Sequence, residues 1–221
     1  MKNKIGIFWF RNDLRLHDNE TLVRALAECE VILPIFCFEP KQYRLLDLGF
    51  RKTGMHRYHF LCECLLNLRE HLQKRDSNLL LTQGTPDKVI AELAKKYGAT
   101  KVYAQKEIAS EETSVEAAVE KGVDKKGASL ELIWGKTLYH MDDTSLDPAD
   151  TPGTAKAFRK ALTAGTKVRP LLDPPEKIPT IKLRDWGAMP TYEILGFSES
   201  DLQKLGRNAF QGGETPALDR L

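Results

Sequence analysis

Two rhythms alternate along the first 135 positions of the chain. Short unbroken apolar runs read as buried strands, and longer segments with apolar residues three and four apart read as amphipathic helices. Ile5–Phe10 is the first run, rich in β-branched and aromatic residues. A helix follows from Glu20 to about Cys29, with Leu22, Leu26 and Cys29 at helical spacing. Val31–Phe38 is the second run, and Pro34 inside it counts against a ladder position because proline has no N–H. Gly54–Arg75 reads as a long helix on which Leu61, Leu65, Leu68 and Leu72 form one stripe. Asn78–Gly84 is the third strand. Thr85-Pro86-Asp87 opens a helix with proline at its first position, and Tyr97-Gly98 closes it with a glycine cap. Lys101–Ala104 is a short fourth strand, Ser110 opens a helix to about Lys121, and Ser129–Gly135 is the fifth strand.

Strict β-α alternation with right-handed crossovers predicts an α/β fold, a doubly wound, Rossmann-like five-stranded parallel sheet with helices on both faces. Trp9 and Trp134 fall in predicted strands and are assigned to core packing. After Gly135 the pattern breaks. Only Thr154–Leu162 looks helical before Pro170, Pro174, Pro175, Pro179 and Pro190 impose an extended connector. Phe210–Leu218 reads as the opening of a helix. The α/β unit is therefore placed at residues 1–165 and an extended proline-rich linker at 166–221.

Composition narrows the picture little. With 42% hydrophobic and 29% charged residues, the chain reads as a soluble globular protein. A net charge of +2 carries no basic footprint for nucleic acid. No apolar stretch is long enough for a membrane helix, and Met1–Lys4 runs straight into a strand, so a cytoplasmic protein without membrane contact is expected. Cys29, Cys37, Cys62 and Cys64 sit in apolar runs without Cys-x-x-Cys spacing and are read as reduced thiols. His56, His59, His71 and His140 offer no third ligand at metal spacing, so no metal is expected.

The chemistry-bearing stretch is the loop after the first strand, Arg11-Asn12-Asp13-Leu14-Arg15-Leu16-His17-Asp18-Asn19. It lies at the carboxyl end of a strand, where open α/β sheets bind ligands. Asp18 or Asn19 is placed to cap the first helix. Arg11 and Arg15 are expected to pair with Asp13 and Asp18, which leaves Phe10 and Asn12 to face a pocket. A nucleotide-binding module of the ATP pyrophosphatase or stress-protein type is one alternative. It would need glycines so that backbone N–H groups approach phosphates, and Arg11–Arg15 contains none. An interaction module docking through the proline-rich connector, without a small ligand, is the other.

Phe8–Leu22 resembles the opening signature of the DNA photolyase/cryptochrome family, a Trp-Phe-Arg-x-Asp-Leu-Arg-x-x-Asp-Asn run. Lys52–Arg57, Trp134–His140, Phe158-Arg159-Lys160, Val168-Arg169-Pro170 and the Gly212-Gly213-Glu214 element resemble its DASH-type cryptochrome branch. The resemblance implies an amino-terminal light-harvesting antenna domain followed by the interdomain linker. It also implies that the helical domain holding FAD and the damaged DNA lies outside this chain. On that reading the chain has no catalytic residues of its own and is expected to be inactive alone. Its partner is the FAD-binding helical domain, through which any DNA contact would run. The parent activity would be light-driven repair of pyrimidine dimers, chiefly in single-stranded DNA, with FAD in the full-length protein.

The cofactor implied for this part is methenyltetrahydrofolate. A pterin ring needs a carboxylate to accept from its amidine-like N–H groups, set between apolar walls. The loops after strands one, two and four are expected to converge and to supply Phe10, Asn12, Cys37, Phe38, Glu107 and Glu111. Glu111 is first choice for the pterin and Glu107 second. Equally, Glu111 reads as a helix-terminal acid worth a few tenths of a kcal/mol against the dipole. Lys52 is placed against the folate tail, or in solvent as an ordinary lysine. Leu171, Leu172 and Trp186 in the connector are expected to be exposed and to promote self-association.

Overall fold

Five parallel strands form one sheet in the order β3-β2-β1-β4-β5. They are β1 (Ile5–Phe10), β2 (Val31–Phe38), β3 (Leu80–Gln83), β4 (Lys101–Gln105) and β5 (Ser129–Ile133). The helices between them are α1 (Glu20–Glu28), α2 (Met55–Gln73), α3 (Pro86–Tyr97) and α4 (Ser110–Asp124). This computed structural model describes residues 4–144, 146–198, 203 and 210–221. The predicted fold class stands as expected, with the strand order reversing direction on either side of β1.

Alternation along β1 explains why both faces are covered. Phe8 and Phe10 point to one face, where Leu22 of α1 and Leu65, Leu68 and Leu72 of α2 pack. Ile7 and Trp9 point to the other, against Ile90 and Ala94 of α3 and Val119 and Val123 of α4. Leu65 and Leu72 are completely buried, each worth roughly 1.5–3 kcal/mol in apolar transfer. Asn19 caps α1, its Oδ1 accepting from the N–H of Leu22 at 3.0 Å. Gly98 closes α3 at φ +68°, the left-handed conformation that glycine adopts without strain.

Pro34 sits inside β2 after all, and the pairing shows why it is tolerated. Ile32 donates to Pro179 of the connector at 2.9 Å, and β3 pairs with β2 only from Ile35 onward. Residues two apart on a strand aim their N–H groups the same way, so the donor that Pro34 lacks falls between these two partners. Trp134 departs from expectation. β5 ends at Ile133, and Trp134 lies half-buried beyond it with its indole N–H on Thr137 Oγ1 at 2.9 Å. The strand stops where Gly135 tucks against the Gln105 side chain.

Beyond β5, a helix α5 (Ala155–Thr163) buries none of its residues, and a short α6 spans Glu214–Leu218. The connector is not an exposed arm. Ile178 donates to Arg75 and is itself fully buried, and the carbonyl of Trp186 accepts from Leu81 N at 2.9 Å. The open side of edge strand β3 is thereby covered. Trp186 and Leu172 are half-buried against this domain, whereas Leu171 remains 71% exposed.

Candidate functional site

A cavity of about 540 Å³ opens at the carboxyl edge of the sheet, within the usual size range for small-molecule sites. Its floor comes from Trp9, Phe10 and Phe36 at strand ends, and one side from Asn12 and the rest of the β1–α1 loop. Cys37 and Glu39 contribute from the end of β2, Phe60 and Leu61 from α2, and Glu111 and Glu112 from the start of α4. The three loops expected to converge do so. They are joined by walls that local sequence did not reveal, from α2 and from α6.

The site residues expected from sequence divide into those facing the cavity and those held behind it. Phe10 is fully buried in an edge-to-face pair with Phe8 at 4.5 Å and lies in the cavity lining. Cys37 lines it too, with burial raising its thiol pKa to about 11 and its S–H donating to the carbonyl of Gly84 at 3.3 Å. Glu111 stands at the rim in an ion pair with Lys52, and that hydrogen bond holds its carboxyl below the ordinary range. Lys52 is thus bound to Glu111 rather than free. Asn12 faces the cavity while its amide N–H donates to Glu107 Oε1 at 2.9 Å. Glu107 is buried behind the wall, where its Oε2 also meets Lys136 at 2.6 Å. Phe38 lies on a separate, smaller cavity of about 200 Å³ beside Pro40, Tyr43 and Pro190.

The charged loop is wired differently from the expected Arg–Asp pairs. Arg11 stacks over the Trp9 ring at 4.6 Å and forms its ion pair with Glu116 of α4. Both partners are nearly buried, with side-chain exposures of 7% and 6%. Glu116 also accepts from the N–H of Glu107 at 2.7 Å, tying β4 to α4. Arg15 donates to the backbone carbonyls of His17 and Asp18 at 3.1 and 3.0 Å, not to a carboxylate. Asp13 Oδ1 accepts from the Arg11 N–H at 3.1 Å, while Oδ2 is buried without a partner. Desolvation outweighs that hydrogen bond and lifts the Asp13 pKa to about 6. Arg11 reaches across the strand order to a helix 105 residues away, a partner that local spacing does not reveal.

Three histidines have ordinary partners. His59 Nδ1 meets the Tyr192 hydroxyl at 2.8 Å, His71 meets Glu214 and Thr215, and His140 Nδ1 accepts from the N–H of Asp142. Among the described residues no helix is long and apolar enough to cross a membrane, and no three His, Cys, Asp or Glu are grouped to hold a metal.

A doubly wound sheet with its cavity at the carboxyl edge, introduced by this arginine-rich β1–α1 loop, defines the class. The DNA photolyase family profile matches residues 6–180, and the chain belongs to that family. Within it the likeness is to cryptochromes of the DASH type. The chain is 41% identical to the chloroplastic/mitochondrial cryptochrome DASH of Arabidopsis thaliana over 221 residues, covering 98% of this chain and 38% of that protein. A blue-light photoreceptor of the same plant is 38% identical and covered over 49% of its length. Among solved structures, the Synechocystis sp. PCC6803 cryptochrome superposes on all of this chain with a TM-score of 0.85 and 37% identity, over 46% of its own length. The chain thus spans about half the length, or less, of these relatives.

Proposed function

We propose that this chain is the light-harvesting, chromophore-binding domain of a DASH-type cryptochrome or photolyase, and that its chromophore is a folate of the methenyltetrahydrofolate type. The observation that carries the reading is the cavity of about 540 Å³ with aromatic walls from Trp9 and Phe10 and a carboxylate, Glu111, at its rim. Such a carboxylate matches the paired N–H donors of a pterin ring, and Lys52 beside it keeps it ionised. In a full-length protein the domain would pass excitation to FAD in a helical partner domain for repair of pyrimidine dimers.

A nucleotide is the competing ligand class. α2, α3 and α4 all begin beside the cavity without a side-chain cap, which favours anions. Four carboxylates, Glu39, Glu111, Glu112 and Glu214, also line it, however, and of its arginines Arg11 is committed to Glu116. A polyphosphate would meet that negative charge directly. We therefore rank the pterin first.

Reconstitution with methenyltetrahydrofolate, read by absorption, tests the assignment. The chain should retain a near-ultraviolet folate band after gel filtration, and Glu111→Gln should weaken binding about tenfold, the value of one charge-assisted hydrogen bond. Tight ATP binding without folate uptake would transfer the assignment to the nucleotide class.

A further inference from the structure

Helix α6 buries none of its residues, yet a dense set of polar contacts holds it in one pose. Glu214 is central. Its Oε1 accepts from the N–H groups of Leu16 at 3.1 Å and His17 at 2.7 Å, and its Oε2 accepts from Leu16 at 3.0 Å. Two successive N–H groups converging on one carboxylate form an anion nest, and such charge-assisted bonds are among the stronger ones. His71 Nδ1 lies 3.3 Å from Oε2, and the Glu214 side chain is only 7% exposed. Leu16 is only 1% exposed with Glu214 seated, so its N–H is shielded from water as long as the carboxylate stays in place.

Contacts to α2 fix the rest of the element. Gly212 N–H donates to Glu63 Oε2 at 2.9 Å, and Asn67 exchanges hydrogen bonds of 3.1 and 3.2 Å with Thr215. Gly213 has φ +129°, and a Cβ there would lie 2.8 Å from Asn67. Cys64 sits beneath, its sulfur 3.0 Å from where a Cβ on Gly212 would be. Gly213, Glu214, Ala217 and Leu218 all line the cavity, next to Arg15 and His17 of the loop that Glu214 grips.

We propose that Glu214 is the positioning residue of the cavity, a latch that seats in the Leu16–His17 nest and fixes the β1–α1 loop and α6 as adjoining walls. It deepens the chromophore assignment and rests on it. With the latch seated, one side of the site is preformed. With it broken, loop and helix separate, Cys64 is uncovered, and a bound ring system loses two walls at once.

The test compares the full chain with Glu214→Gln and Gly213→Ala. The first removes the charge from the nest, and the second forces the helix off α2 while leaving the carboxylate intact. Amide hydrogen exchange at Leu16 and His17 and iodoacetamide alkylation of Cys64, mapped by peptide mass spectrometry, report the latch without any chromophore. Both should accelerate about tenfold in each variant. Methenyltetrahydrofolate should dissociate faster by a similar factor, while the thermal unfolding midpoint moves by no more than about 5 °C, since α6 contributes no core. Unchanged exchange and alkylation overturn the latch however folate behaves. Faster exchange with an unaltered folate off-rate overturns its role in holding the ligand. A wild-type chain that takes up no folate overturns the chromophore assignment on which that role rests, and the exchange and alkylation rates then decide the latch alone.

Discussion

Asp13→Asn should stabilise the protein near neutral pH and abolish part of its pH dependence. Asp13 is 2% exposed, and its Oδ2 has no partner. Burial lifts its pKa from 3.8 to about 6 against the lowering effect of the Arg11 N–H. The sign follows from proton binding. Between about 4 and 6 the folded chain holds a proton that the unfolded chain releases, so stability falls as pH rises through that window. Below it the carboxyl is neutral in both states and carries no penalty. Above it the charge is buried in full. At roughly 1.36 kcal/mol per pH unit, the gap amounts to about 3 kcal/mol lost by pH 7.

Asparagine keeps an oxygen for the Arg11 N–H but places an unpaired amide where Oδ2 was, a pH-independent cost of about 1–3 kcal/mol. The informative quantity is therefore the stability difference between variant and wild type, measured by urea unfolding from pH 4 to 8. That difference should move toward the variant by about 3 kcal/mol across the range, with most of the change between pH 4 and 6. A difference constant to within about 0.5 kcal/mol would refute the claim that Asp13 is desolvated without compensation.

Two further substitutions probe how the site is held. Arg11→Met removes the cation from a nearly buried pair and leaves Glu116 charged beneath the β1 edge; thermal unfolding should show a loss of about 3–5 kcal/mol. Gly187→Ala places a Cβ on the Leu81 carbonyl at φ +67°, so the connector should lift from β3, with a stability loss of about 2 kcal/mol and faster exchange at the Leu81 amide.

The elements were legible in the sequence because their signals are local. The Leu61–Leu72 stripe, the proline at the start of α3 and Gly98 at its end each act within a turn or two, and each element lies where those residues put it. The site was legible only as far as strand ends reveal it. Phe10, Cys37 and Glu111 line the cavity because they end β1 and β2 or begin α4. Phe38 shares a strand face with the cavity-lining Phe36 but lies two residues further along β2, beside Pro40 and Tyr43 on the smaller cavity. Glu107 looked as suitable as Glu111, but Asn12 and Lys136, at distant positions, draw it behind the wall. Arg11 and Glu214 gave no signal of their partners, since the bonds they form span 105 and nearly 200 residues.

The connector shows the same division between local pattern and distant pairing. Proline-rich sequence correctly denies it helix and strand, and from that alone Leu172 and Trp186 look free to recruit another molecule. What the pattern omits is that β3 is a sheet edge with unpaired N–H groups and that β2 has a proline gap facing the same way. An extended chain is the conformation that can supply carbonyls along such an edge, as Pro179 does to Ile32 and Trp186 to Leu81. Arg69 strengthens the join, its guanidinium donating to the carbonyls of Trp186 at 2.9 Å and Gly187 at 3.2 Å. Among the described residues, large exposed apolar side chains remain at Leu45, Leu48 and Phe50 after β2, at Phe60 and Leu66 on α2, and at Val168, Leu171 and Ile194 to either side of the strap, but none lies between Asp173 and Pro190. Any apolar contact beyond this domain is therefore expected on the cavity side, where α2 and the β2–α2 loop stand, and not along the strap that seals the β3 edge.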